Sequence, residues 1–183
     1  MSAENENDDR LMERAAAGDT DAFDRIVQRH QHRLQRFATR MLGGDQARGA
    51  DVAVGALLRL WESRHSYRPC GKLGAWLLKA ANRLCLDTLA HAQTVIALDD
   101  AAEAFSDATC QSCVEKTVLA HAVRYAVMDL PEAHRSVLIL SVYEEMSYDE
   151  IAEALEISPG TVASRKSHAV AMLRRRLAAW ETK

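Results

Sequence analysis

The chain has 183 residues, enough for one mid-sized domain or two small ones, and 48% of them are apolar, an ordinary share for a protein with a packed core. Its 23 Lys and Arg stand against 26 Asp and Glu, a formal net charge of −3. No segment approaches the ~18 apolar residues of a membrane-spanning helix, so no membrane association is expected. A glycine-rich phosphate loop ending in Lys, a nucleophile elbow and paired carboxylates in a strand context are all missing, which argues against an enzyme, a bound cofactor or a small-molecule substrate. Sparse Gly and Pro, with frequent Ala, Leu, Arg and Glu, predict an all-α fold.

The charge is unevenly spread. The first two dozen residues are acidic (Glu4, Glu6, Asp8, Asp9, Glu13, Asp19, Asp21, Asp24), and the opening MSAENENDD is the opposite of a signal peptide, so the cytoplasm is the expected compartment. Gln93 to Glu115 holds no Lys or Arg, whereas Ile157 to Ala179 holds Arg165, Lys166, Arg174, Arg175 and Arg176 and no acid. A basic end beside acidic segments suits a protein that meets nucleic acid through one surface.

In chain order, Asp9 is expected to cap a short helix to about Ala17, stopped by Gly18. Asp19 or Thr20 starts a long helix through Leu42, with Phe23, Ile26, Val27, Leu34, Phe37, Ala38 and Met41 on its apolar face. Gly43-Gly44-Asp45 is a turn. A third helix spans about Gln46 to His65 on the stripe Val52, Ala56, Leu57, Leu60 and Trp61. Ser66–Gly71 is a loop by composition. A fourth helix runs from Lys72 to about His91, with Leu73, Trp76, Leu77, Ala80, Leu84 and Leu89 inward. Periodicity then fails, and 93–113 reads as an acidic flexible linker. Helices resume at Val114 to Met128, and Pro131 suits the first turn of the next, which ends near Tyr143.

The C-terminal pattern is the most informative. Ser147 is an N-cap with Glu150 as capping-box partner, and Ser158 is a second N-cap with Pro159 directly after it. Between them lie a short helix (YDEIAEAL) and a turn, Glu156-Ile157-Ser158. Ile151, Leu155, Ile157 and Val162 fit the small core shared by two crossed helices, and Ala152 is small where they meet. This is a helix-turn-helix, whose second helix would lie in the major groove of DNA. Ser158, Thr161, Ala163, Ser164, Arg165, Ser167 and His168 are the candidate contacts, and the helix N-terminus offers N–H groups to a phosphate.

Leu130-Pro131-Glu132, Ser147-Tyr148-Asp149-Glu150-Ile151-Ala152 and Gly160-Thr161-Val162 with Ser164-Arg165 resemble region 4 of extracytoplasmic-function (ECF) sigma factors, of the sigma-70 family. Gly18-Asp19, Ala22-Phe23, Arg40, Asp51, Leu60-Trp61, Trp76-Leu77, Ala81-Asn82 and Asp87 resemble region 2. The resemblance implies two small helical domains, 10–92 and 114–180, joined by the linker. It implies a non-catalytic promoter-specificity subunit whose partners are core RNA polymerase, promoter DNA and an anti-sigma factor. Asp51, Val54, Gly55, Leu58 and Trp61 would face the polymerase. Arg68, Lys72, Trp76, Lys79, Asn82 and Arg83 would melt and read the −10 element, with the loop before the Trp76 helix forming a pocket for a flipped base. The second helix of region 4 would read the −35 element.

The chain departs from the family in places. Val54 and Gly55 stand where it has Gln and an acid, and Gly55 in a helix costs roughly 1 kcal/mol. Ala90-His91-Ala92-Gln93 replaces a basic cluster, Ser141, Ala163 and His168 replace basic residues, and Lys166 replaces an apolar one. Each lost phosphate contact lowers affinity and salt dependence. A pseudo-sigma adaptor that binds an anti-sigma factor without driving transcription, or another helix-turn-helix regulator, are the alternatives. Cys110 and Cys113 form a lone CxxC that could join Cys70, Cys85, His91 or His121 in a metal or redox site, but no second pair lies at finger spacing, so no metal is expected. Trp61 and Trp76 read as core rather than stacking platforms.

Overall fold

The computed structural model describes residues 6–96 and 114–181. Among these there are eight helices and no strand: α1 (Asp8–Ala16), α2 (Thr20–Met41), α3 (Gln46–Glu62), α4 (Leu73–Ile96), α5 (Val114–Met128), α6 (Glu132–Val142), α7 (Tyr148–Leu155) and α8 (Pro159–Glu181). None of the described helices is long and apolar enough to cross a membrane.

The caps explain most boundaries. Asn7, not Asp9, caps α1, accepting the Arg10 backbone N–H at 2.9 Å. Asp9 thus lies inside the helix, and its carboxylate is free for a tertiary contact. Asp19 caps α2 by accepting from the Ala22 N–H, and Asp45 caps α3 by accepting from the Arg48 N–H. Gly43 and Gly44 form the intervening turn at φ of 73° and 97°, a region that disfavours any residue with a Cβ. α3 stops at Glu62, short of the expected His65, and the Ser63 hydroxyl at its C-cap donates to the Arg59 and Leu60 carbonyls. α4 continues to Ile96, into the segment expected as linker. Pro131 stands at the cap position before α6 rather than in its first turn.

The helix-turn-helix forms as its sequence dictates. The Ser147 hydroxyl accepts the Glu150 N–H while the Glu150 carboxylate accepts the Ser147 N–H at 2.8 Å, so two orphan donors at the start of α7 are satisfied. Glu156 closes α7 in the left-handed region at φ 55°. Ser158 caps α8 through the Thr161 N–H at 3.1 Å.

One hydrophobic cluster runs from Leu11 on α1 to Ala169 on α8, so the two halves share a core. α2 packs on α6, and α4 packs on α7. Polar groups reinforce the seam. The buried Arg135 guanidinium donates to the Met41 carbonyl at 3.0 Å, an orphan acceptor at the end of α2, and also to the Met128 and Leu130 carbonyls. Arg33 donates to the nearly buried Glu144 carboxylate at 2.8 Å, tying α2 to the turn before α7.

Candidate nucleic-acid and polymerase interfaces

On α3 the inward stripe Val52, Ala53, Ala56, Leu57 and Leu60 leaves Asp51, Val54 and Leu58 on the opposite side. Val54 is 56% exposed and Leu58 55%. Two aliphatic side chains at helical spacing in water form an apolar strip, which suits contact with another protein. Gly55 and Trp61 flank it, half-buried. Trp61 is held from both sides: Phe23 meets it edge-on at 4.9 Å between centroids, and the Arg64 guanidinium lies 4.1 Å over its ring. Its ring therefore fixes the α2–α3 packing more than it offers a free surface.

The loop before α4 and the first turns of that helix enclose a cavity of about 320 Å³. Arg68, Lys72, Trp76 and Lys79, all singled out from sequence, line it beside Tyr67 and Cys70. The loop is anchored by α1. Asp9 accepts the Tyr67 hydroxyl at 3.0 Å and the Gly71 N–H at 2.7 Å. Burial, then the Asp9 carboxylate, push the Tyr67 ionisation well above the ordinary tyrosine range.

The remaining wall of the cavity belongs to the other half of the chain. Glu153 and Ala154 of α7 line it. Lys72 donates to the Glu153 carboxylate at 2.6 Å, and Lys79 donates to the Glu156 carboxylate at 2.6 Å. The hydrogen bond to Glu153 raises the Lys72 pKa; the hydrogen bond from Lys79, then the charges of Lys79 and Arg83, lower that of Glu156. Asn82 is buried, and its side-chain carbonyl accepts the Ser136 hydroxyl of α6 at 2.7 Å. Of the residues expected to meet single-stranded DNA, Arg68, Lys72, Trp76 and Lys79 are thus brought to one cavity that α7 borders, Asn82 is buried against α6, and Arg83 is exposed.

The face of α8 is different. Ala163, Ser164, Ser167 and His168 are exposed at helical spacing, and the first turn carries no acid. Ser158 and Thr161 share a hydroxyl–hydroxyl hydrogen bond at 2.8 Å. Arg165 is half-buried. Desolvation, then the positive surroundings of His168 and Arg165, lower the pKa of His134 on α6. Lys166 lies 5.2 Å over the Tyr148 ring, so this lysine braces α8 on α7. An uncovered face at a helix N-terminus, with Arg174 and Arg175 further along, suits a phosphate backbone, while Arg176 is paired with Asp129 at 3.1 Å.

Sequence reasoning missed Asp9, Ser136, Glu153 and Glu156. A signal for the last two was present, since Asp149, Glu153 and Glu156 recur at helical spacing and form an acidic stripe that calls for a basic partner. Cys70 is exposed, and Cys85 is buried with its thiol pushed up to about 12 by desolvation, which makes it inert packing. Cys110 and Cys113 lie outside the described residues. Among the described residues no group of three His, Cys, Asp or Glu is placed to hold a metal ion.

The "Sigma-70 region 2" model matches residues 26–95 and the "Sigma-70, region 4" model matches residues 120–173. The chain is 31% identical to the ECF RNA polymerase sigma factor SigM of Mycobacterium tuberculosis, over 93% of this chain and 85% of that protein. It is 28% identical to the ECF RNA polymerase sigma factor SigW of Bacillus subtilis, over 87% and 91%. The fold matches CnrH, solved in complex with the cytosolic domain of CnrY, with a TM-score of 0.70 at 25% identity, over 94% of this chain and 97% of that one. It also matches the sigma factor RpoE of Bartonella quintana, solved with the anti-sigma factor NepR, with a TM-score of 0.69 at 20% identity, over 85% and 96%. With both regions present in order and a relative above 30% identity along most of its length, this chain belongs to the ECF sigma factors of the sigma-70 family.

Proposed function

We propose that this sigma factor directs core RNA polymerase to −10 and −35 promoter elements in the cytoplasm, without catalysis of its own. Residues 10–92 form the unit that docks on polymerase through Asp51, Val54, Gly55, Leu58 and Trp61. The same unit reads the −10 element through Arg68, Lys72, Trp76, Lys79, Asn82 and Arg83. Residues 93–113 link it to residues 114–180, which read the −35 element through Ser158, Thr161, Ala163, Ser164, Arg165, Ser167 and His168. The observation that carries this reading is the uncovered, acid-free face of α8 directly after a capped helix-turn-helix. Phosphate contacts would come from Arg165 and the helix N-terminus, and base discrimination from the small polar side chains. Control by an anti-sigma factor is part of the proposal. The RpoE relative was solved with such a partner.

Val54 and Gly55, in place of polar residues usual in the family, favour a second reading, a pseudo-sigma adaptor that holds an anti-sigma factor and drives no transcription. Run-off transcription with purified core polymerase on a promoter library separates the two. Promoter-dependent transcripts support the first reading. Tight binding to an anti-sigma factor with no transcript supports the second. Failure to bind core polymerase together with footprints on duplex DNA alone would point to an ordinary regulator.

A further inference from the structure

Two imidazoles meet where α6 packs on α8. The ring of His134 lies 6.2 Å from that of His168 between centroids, tilted by 38°. His168 is exposed on the recognition face of α8, and His134 is half-buried on α6. Burial, then the charges of His168 and Arg165, hold the His134 pKa below its ordinary value. No carboxylate is among the charges that act on this ring. The acids of the neighbouring elements are engaged elsewhere. Asp129 pairs with Arg176, and Asp129 and Glu132 act on Arg135. Glu144 holds Arg33 of α2, Glu150 holds Ser147, and Glu153 and Glu156 of α7 hold Lys72 and Lys79. Asp149, in the first turn of α7, is exposed. The Nδ1 atom of His134 is buried with no hydrogen-bond partner. A protonated imidazole donates from both nitrogens, so the cationic ring needs an acceptor that the protein does not supply at this position.

Three basic side chains from two helices, without an acid of their own, make an anion site. We propose that His134, His168 and Arg165 form a phosphate-binding cluster at the edge of the recognition helix, whose two imidazoles take up protons as the DNA backbone arrives. The inference rests on the reading of α8 as the −35 face and adds His134 and a proton linkage to it. Imidazole is the side chain whose ordinary charge change falls between pH 5 and 8. A phosphate beside the cluster favours the charged rings, and charge-assisted hydrogen bonds to it are the stronger kind. The sign follows from linkage. His134 is held neutral in the free protein and becomes charged in the complex, so binding takes up protons and tightens as pH falls. The gain levels off once the free protein is itself protonated.

The test uses the full-length chain and a labelled random-sequence duplex, since backbone contacts do not depend on sequence. Fluorescence anisotropy at fixed ionic strength gives the affinity from about pH 8 to about pH 6. Wild-type affinity should rise about three- to tenfold over that range. H134Q and H168Q should each flatten the rise, and the double variant should remove most of it. H32Q, at an exposed histidine of α2, should leave it intact. H168R carries a permanent charge, so it should bind more tightly than the wild type at the alkaline end and rise less. Proton NMR of the imidazole Cε1–H signals reads the protonation directly, and the His134 and His168 midpoints should move to higher pH when duplex is added. An unchanged rise in both H134Q and H168Q overturns the proposal. So do midpoints that DNA leaves in place. R165A distinguishes this from failure of the reading of α8. Duplex affinity unaltered by R165A at every pH counts against α8 as the DNA face, and the cluster falls with it. Weakened binding in R165A beside a pH-insensitive wild type rejects the proton linkage alone.

Discussion

The carboxylate of Asp9 and the backbone N–H of Gly71, 62 residues apart, meet at 2.7 Å and fasten the first turn of α1 to the loop in front of α4. The same carboxylate accepts the Tyr67 hydroxyl at 3.0 Å. Asp9→Ala removes both acceptors and should cost about 1–2 kcal/mol in urea unfolding. Tyr67 supplies a second readout. Its native-state pKa lies above its unfolded value, so its contribution to stability is complete below the ordinary tyrosine pKa of about 10 and is lost as pH rises past it. In Asp9→Ala, near-ultraviolet absorbance should show tyrosine ionisation beginning at lower pH than in the wild type.

Asp8 governs the acid side. Burial disfavours its charge, but hydrogen bonds from Arg29 at 2.9 Å and His30 at 2.7 Å outweigh that and hold the carboxyl below its usual range. A carboxyl depressed in the native state adds stability above its unfolded pKa, and that stability is lost as pH falls through the native value. Asp8→Asn should therefore flatten the acid limb of a stability profile between about pH 2 and pH 5. An unchanged slope in urea midpoints across that window would rule this pairing out as a contributor.

Two helical glycines on α3 should respond in opposite ways. A Cβ at Gly49 would run into the Thr39 hydroxyl and lie 2.9 Å from the Thr39 backbone nitrogen, so Gly49→Ala should destabilise by about 1–3 kcal/mol. A Cβ at Gly55 would meet only the Leu84 side chain, at 3.2 Å, and a terminal methyl can give way. Removing glycine from a helix interior gains about 1 kcal/mol, so Gly55→Ala should leave the melting temperature unchanged or raised.

The two outward faces can be probed without disturbing the core. Leu58→Asp alters a side chain 55% exposed, so stability should hold within about 0.5 kcal/mol while pull-down of core polymerase falls sharply. Arg165→Ala should weaken binding to −35 duplexes and reduce the salt slope by about one. An Arg165→Ala protein with unaltered promoter use would mean that α8 is turned differently on DNA.

Helix content and the helix-turn-helix were legible in the sequence because their signals are local. Ser147 with Glu150, Ser158 with Pro159, and the glycines at 43 and 44 each specify a boundary within a few residues. Asn7 was overlooked because Asp9 is an equally good cap by type, and only the packing of α1 on the loop decides between them. The candidate −10 residues could be gathered from family resemblance, and the fold brings Arg68, Lys72, Trp76 and Lys79 of them to one cavity. What covers them could not be read locally. The Lys79–Glu156 pair spans 77 residues and the Ser136–Asn82 bond spans 54, and neither depends on any periodicity within one helix.

The exposed lysine–glutamate pairs also bear on counterions. A lysine that waits in solvent carries no partner but water, and the DNA phosphate it later meets releases a condensed cation, which makes binding steeply sensitive to salt. On the proposed −10 reading, Lys72 and Lys79, each paired with a carboxylate, would instead exchange one anionic partner for another. Salt that weakens the incoming phosphate contact weakens the outgoing carboxylate contact too. Single-strand binding by this chain should consequently fall less steeply with ionic strength than its number of phosphate contacts implies.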